Sequence, residues 1–190
     1  MANWVAMGFL CVVLIAAAIC DVRTGRVPNL LTYPAILIAL LGWAAWGWLG
    51  SAETSTGEAV RQALIGLSAG LVPFAMIFAA GGLGGGDVKT MTAVGAISAS
   101  WQCVLSTAFY AFLLGGVFAL VVMFRRGLVR QTFSNLFGAA LLASARVRPE
   151  LDKQTPRIPF AVAICAGGIM AGAEILLDIN TPWRGFAPSP

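Results

Sequence analysis

Charged side chains are absent from five long stretches of this chain: 1–20, 27–52, 62–86, 90–124 and 158–173. A helix needs roughly 20 apolar residues to cross a hydrocarbon core about 30 Å thick. The whole chain is 59% hydrophobic and 11% charged, with a mean hydropathy of +0.86, whereas soluble domains carry about 25% charged residues. A water-soluble fold of this composition would expose apolar patches far larger than soluble monomers tolerate. A cytosolic globular enzyme, a disordered tail and a disulfide-rich secreted module are therefore excluded. The expected fold is an all-α, polytopic membrane helix bundle, one domain over residues 1–190.

The stretch 90–124 is generous for one crossing and suits two, with a turn near Ser100–Gln102 where Trp101 fits the interface. Six spans are then expected near 3–20, 33–50, 63–82, 88–100, 103–124 and 158–177, the fourth being short. This arrangement gathers Arg23, Arg26, Lys89, Arg125, Arg126, Arg130, Arg146, Arg148, Lys153 and Arg157 on one side. Only Arg61 and Arg184 fall on the other. Basic loops favour the cytoplasm, so the ten-residue side is expected to be cytoplasmic and both termini outside. The first span has no basic residues before it, unlike a signal peptide, and is expected to be retained.

Between the last two spans, 127–157 is the one sizeable polar segment. Val129, Phe133, Leu136, Phe137, Ala140 and Leu141 recur there at helical spacing, predicting an amphipathic helix on the cytoplasmic face. No internal repeat is visible. Cys11, Cys20, Cys103 and Cys165 form no CxxC pair and the chain lacks histidine, so a Cys/His zinc site is not expected. The cysteines read as small apolar core residues. The net charge of +4 bears on topology, and no nucleic-acid partner is expected.

Two carboxylates stand out. Asp21 follows the first span, and Asp87 sits between the third and fourth, 66 positions later. Two crossings separate them, so both belong at the same membrane face. Paired aspartates can hydrolyse a peptide without metal, serine or cysteine. Like charges resist joint ionisation, so such a pair shares a proton. One member then activates water while the other hydrogen-bonds the scissile carbonyl. Taken alone, Asp21 could equally be a solvated residue pairing with Arg23 or Arg26.

Asp87 is preceded by Gly81, Gly82, Gly84, Gly85 and Gly86. Such a run resists regular helix and would let an extended substrate backbone approach closely; close helix packing is the plainer alternative. A phosphate-binding loop would need Gly-Lys-Ser/Thr where this chain has Gly86-Asp87. Lys89 reads either as a topology charge or as a group that tunes Asp87 or attracts an acidic substrate residue. Pro28 and Asn29 suit a helix start, with asparagine as a possible cap.

Together these strings resemble the prepilin peptidases, membrane aspartic proteases of the Gly-x-Gly-Asp type. Asp21-Val22-Arg23-Thr24-Gly25-Arg26-Val27-Pro28-Asn29 is similar to the family's first aspartate block. Gly84-x-Gly86-Asp87-x-Lys89 is similar to the second, and Arg157-Ile158-Pro159-Phe160 to the start of its final helix. The resemblance runs from about residue 8 to 177. It implies Asp21 and Asp87 as the catalytic pair, with Gly84, Gly86 and Lys89 as supporting residues, and no cofactor or metal. It also implies type IV or Flp prepilins as substrates, cut at the cytoplasmic face of a bacterial inner membrane, and a lipid bilayer as surroundings; the oligomeric state stays open. Larger members carry an extra cytoplasmic domain with paired cysteines and methylate the new amino terminus. Here only a short loop follows Asp21, so the chain resembles the short peptidase-only branch and methylation is not expected. Other readings are a presenilin-like protease cutting within spans, a small proton or cation transporter, and a non-catalytic assembly component. The first usually shows Tyr-Asp and Pro-Ala-Leu motifs, absent here, and a transporter site usually lies nearer the midplane.

Overall fold

The structure is a computed structural model that describes residues 2–49, 55–125 and 160–177. Among these residues it contains six helices and no strand: α1 (Ala2–Thr24), α2 (Asn29–Trp48), α3 (Thr56–Ala79), α4 (Gly85–Ser98), α5 (Trp101–Arg125) and α6 (Phe160–Leu176). Four of them, α1, α2, α3 and α5, are long and apolar enough to cross a membrane. At 1.5 Å per residue, the 17 residues of α6 reach about 26 Å and the 14 of α4 about 21 Å. The chain divides into two compact units, residues 1–113 with 159–190, and residues 114–158. The described part of the second is the C-terminal half of α5. The amphipathic helix expected within 127–157 lies outside the described residues.

Helix ends depart from the charge-based boundaries in physically readable ways. α1 continues through Asp21 to Thr24 and stops where Gly25 turns left-handed (φ 64°), donating its N–H to the Asp21 carbonyl at 2.8 Å. α2 starts four residues earlier than expected, directly after Pro28. α3 begins at Thr56 rather than 63. Its N-cap Ser55 accepts the Glu58 N–H at 3.3 Å, and the Glu58 and Arg61 side chains pair at 2.7 Å. Two charges that satisfy each other at a helix start do not end the helix. The turn predicted near residues 100–102 is made by Ala99, itself left-handed (φ 48°), while the Ser100 hydroxyl accepts the Cys103 N–H.

The shortest described helix is the central one. α4 packs against α1, α2, α3 and α6, and Val88 and residues 90–98 are all buried. Its polar residues are satisfied locally: Thr90 donates to the Gly86 carbonyl at 2.9 Å and Thr92 to the Val88 carbonyl at 2.8 Å. At the far end, Trp43 of α2 donates its indole N–H to the Ile97 carbonyl at 3.1 Å. That bond supplies one of the partners a buried helix C-terminus lacks.

Small residues allow this burial. A Cβ on Gly95 would lie 1.9 Å from the Gly66 carbonyl oxygen, and a Cβ on Gly70 would lie 2.2 Å from that of Met91. Gly66 and Gly70 are one turn apart on α3, so the two helices meet backbone to backbone, as small-xxx-small stripes permit in membranes. Gly167 of α6 approaches the Thr107 carbonyl of α5 in the same way. Nearby, Tyr110 donates its hydroxyl to Glu174, which gives the α6 carboxyl a partner on a neighbouring helix. Cys103 and Cys165 are buried and unpaired with any other sulfur; Cys11 and Cys20 are partly buried.

Gly95→Ala is expected to destabilise the bundle by more than about 3 kcal/mol, because only backbone faces the new methyl. Gly42→Ala, which meets nothing within 4 Å, should change stability by less than ~1 kcal/mol. Thermal unfolding in detergent separates the two.

Candidate active site

The glycine run resolves into separate tasks. Gly81 adopts φ 80° and donates its N–H to the Phe78 carbonyl, while the Gly82 N–H reaches the Ile77 carbonyl, both at 2.9 Å. This pair of bonds closes α3 in a Schellman motif. Gly84 is the N-cap of α4, and Gly85 and Gly86 already lie in its first turn. The run is therefore less irregular than its composition predicts, because a carboxylate three residues beyond the N-cap organises the helix start. Asp87 accepts the Gly84 N–H at 3.3 Å, and its own N–H donates to the Gly84 carbonyl at 3.1 Å. A carboxylate in the first turn is also favoured by the helix dipole.

Asp87 lies outside the four long membrane-crossing helices and is half-buried. Burial pushes its carboxyl up from the ordinary value of 3.8 to about 6. The Gly84 N–H opposes that rise, and the negative charge of Asp21 adds to it. Asp21, in the last turn of α1, is half-buried too. The structure thus brings the two sequence-predicted carboxylates to one end of the bundle, near enough to interact through space. No hydrogen bond joins them among the described residues. Nor does any ion pair join Asp21 to Arg23 or Arg26, both exposed. The plainer reading of Asp21 as half of a surface ion pair is not what the geometry shows.

The segment after Asp21 is held by bonds within its own turn and by packing on α4. The Thr24 hydroxyl lies 2.8 Å from the Cys20 carbonyl and 2.9 Å from that of Arg26, donating its one proton to either. Val27 is buried, and a Cβ on Gly86 would stand 3.3 Å from its methyl. Gly86 thus lets the turn sit close beside Asp87. Pro28 is the N-cap of α2 and lends no side-chain bond. Asn29 does not act as the expected cap; its side-chain oxygen accepts a bond from Lys89 Nζ at 2.5 Å. The Lys89 ammonium also lies 5.7 Å from the centre of the Tyr33 ring. The sequence reading of Lys89 did not foresee Asn29 or Tyr33. Their one visible signal was spacing: four residues apart, they share a face of α2.

Chemically, two carboxyls at one end of a helix bundle, one of them raised to about 6, can supply a general acid and a general base. A family model, that of the type IV leader peptidase family, matches residues 8–120 of the chain. A prepilin leader peptidase/N-methyltransferase of Bacillus subtilis (strain 168) is 32% identical over 160 residues, 83% of this chain. The chain spans about half, 51%, of that relative's length. No solved structure gives a significant match.

A carboxyl whose pKa is raised by folding binds its proton more tightly in the folded than in the unfolded state. It lowers stability above about pH 6, and the cost disappears below the unfolded value near 4. Asp87→Asn should therefore raise stability at pH 7.5 by about 1 kcal/mol, after discounting for solvent screening. The gain should vanish at pH 4, as read from unfolding midpoints at the two pH values.

Proposed function

Because this chain belongs to the type IV leader peptidase family, we propose that it is an aspartic endopeptidase that removes the leader from type IV or Flp prepilins. The reading places Asp21 and Asp87 as the catalytic pair at the cytoplasmic face of a bacterial inner membrane. The observation that carries it is the placement of two half-buried carboxylates at one end of the bundle, Asp21 in the last turn of α1 and Asp87 in the first turn of α4, with the turn after Asp21 packed on Gly86 beside Asp87. The ten basic residues on that side of the expected topology support the cytoplasmic orientation.

The chemistry follows from the unequal environments. We assign the acid role to Asp87, the carboxyl that burial raises to about 6, and the base role to Asp21; the reactive form is the one in which the pair holds a single proton, on Asp87. Asp21 takes a proton from water as the water oxygen attacks the scissile carbonyl carbon. Asp87 gives its proton to the carbonyl oxygen, forming a neutral tetrahedral diol. As the diol collapses, Asp21 passes its proton to the departing amide nitrogen and the C–N bond breaks. Asp87 regains a proton from the diol hydroxyl, leaving a carboxylic acid, an amine and the original charge states. Gly84 and Gly86 serve this site by making room: a Cβ on Gly84 would press within 3.1 Å of the Asp87 carboxylate, and Gly86 faces Val27.

Peptidase activity without methylation is part of the proposal. The α1–α2 connection is four residues long, 25–28, and the chain has no closely spaced cysteine pair. Neither feature leaves room there for the cysteine-bearing domain that the bifunctional resemblance would require.

Co-expression with a short prepilin should convert the precursor to its mature size. Asp21→Asn and Asp87→Asn should each accumulate full-length precursor, with activity down more than about 1,000-fold, as when one member of an acid–base pair is lost. Cleavage by either variant at the wild-type rate would remove that aspartate from the mechanism. A channel or scaffold would show no cleavage at all.

A further inference from the structure

Lys89 occupies the fifth position of α4, near the end where the helix dipole disfavours a cation. A lysine placed there for topology alone would extend into water. Instead its ammonium crosses to α2, where Asn29 and Tyr33 stand one turn apart. It donates to the Asn29 side-chain oxygen at 2.5 Å and lies 5.7 Å from the Tyr33 ring centre. Asn29 is the first residue of α2, directly beyond the turn that begins after Asp21's helix, and Lys89 is two residues past Asp87. One side-chain bond therefore ties the helix that carries Asp87 to the start of α2, just beyond the turn that follows Asp21's helix, across 60 positions of sequence. Val27 against Gly86 is the apolar half of the same junction.

We propose that Lys89 is a positioning residue, which holds the 25–28 turn, and with it Asp21, in register with Asp87 by gripping Asn29 and Tyr33. This rests on the reading of Asp21 and Asp87 as the catalytic pair. Catalytic groups displaced by about 1 Å can cost 100-fold in rate. Loss of the grip should therefore appear in kcat, because what changes is the alignment of the carboxylates.

The test is a double-mutant cycle on prepilin cleavage with Lys89→Met, Asn29→Leu and the pair, normalised to folded enzyme. Each single variant should lose about 10- to 100-fold in kcat with KM changed less than about 2-fold. The double variant should be no worse than either single, and Asn29→Asp, which keeps an acceptor oxygen, should retain activity. A raised KM in Lys89→Met with Asn29→Leu unaffected would make Lys89 a substrate contact and overturn the proposal, as would multiplicative losses. A second readout does not depend on cleavage. Spin labels at Arg26→Cys and Gly82→Cys, in a background with the four native cysteines replaced by alanine, report the spacing of the two segments. Their distance distribution should broaden equally in Lys89→Met, Asn29→Leu and the double variant. An unchanged distribution would overturn the proposal even if wild type cleaves nothing, the result that would sink the peptidase reading instead.

Discussion

At 14 residues α4 reaches about 21 Å, less than the roughly 30 Å of a hydrocarbon core, and it persists because its neighbours cover it. The contact of Gly66 with Gly95, and of Gly70 with Met91, brings α3 and α4 to backbone separation. At that distance the backbone surfaces pack directly and exclude lipid. The polar residues of α4 can then be buried, because Thr90 and Thr92 donate back to the preceding turn and Trp43 reaches the Ile97 carbonyl. Everything at the N-terminal end depends on this seating. Asp87 lies three residues beyond the cap of a helix whose other end is fixed against α2 and α3.

Two opposed effects meet on that carboxyl. The Gly84 N–H and the helix dipole favour its charged form, while burial and Asp21 favour its protonated form. Burial is the largest of these influences and brings Asp87 to about 6. A carboxyl that caps its own helix is tied to backbone geometry, so its position is set by the fold more than by its own rotamers. Asp21 has no such tie. It belongs to the last turn of α1 and is located by the turn that follows, which the Gly25 conformation, the Val27–Gly86 contact and the Lys89–Asn29 bond define. The segment carrying one carboxyl is thus built into a helix end, and the other is held by tertiary contacts.

Much of the helix order was legible in the charge-free stretches, because a membrane chain cannot hide unpaired charge in lipid. The early start of α3 was not. Glu58 and Arg61 look like a boundary in sequence and become an ion pair on the helix itself. The left-handed Ala99 was equally hidden, since nothing but its neighbours requires that conformation of a non-glycine residue. Asp21, Asp87 and the glycines were legible from motif and order. The separate duties of Gly81, Gly84 and Gly86 were not, because composition shows freedom without showing what presses on each position. The Asn29 and Tyr33 receptor for Lys89 required three-dimensional proximity: sequence placed Asn29 as a helix cap, and the short α1–α2 turn delivered it to α4 instead.

The central claim is that Asp21 acts on Asp87 across the junction of α1 and α4. Infrared titration of the isotope-labelled Asp87 carboxyl in detergent-solubilised protein, with and without Asp21→Asn, addresses it directly. The account predicts a midpoint of about 6 in the wild type and a lower midpoint once the Asp21 charge is gone. A midpoint that does not move on replacing Asp21 would contradict it, because the two carboxyls would then be too far apart to work as a pair.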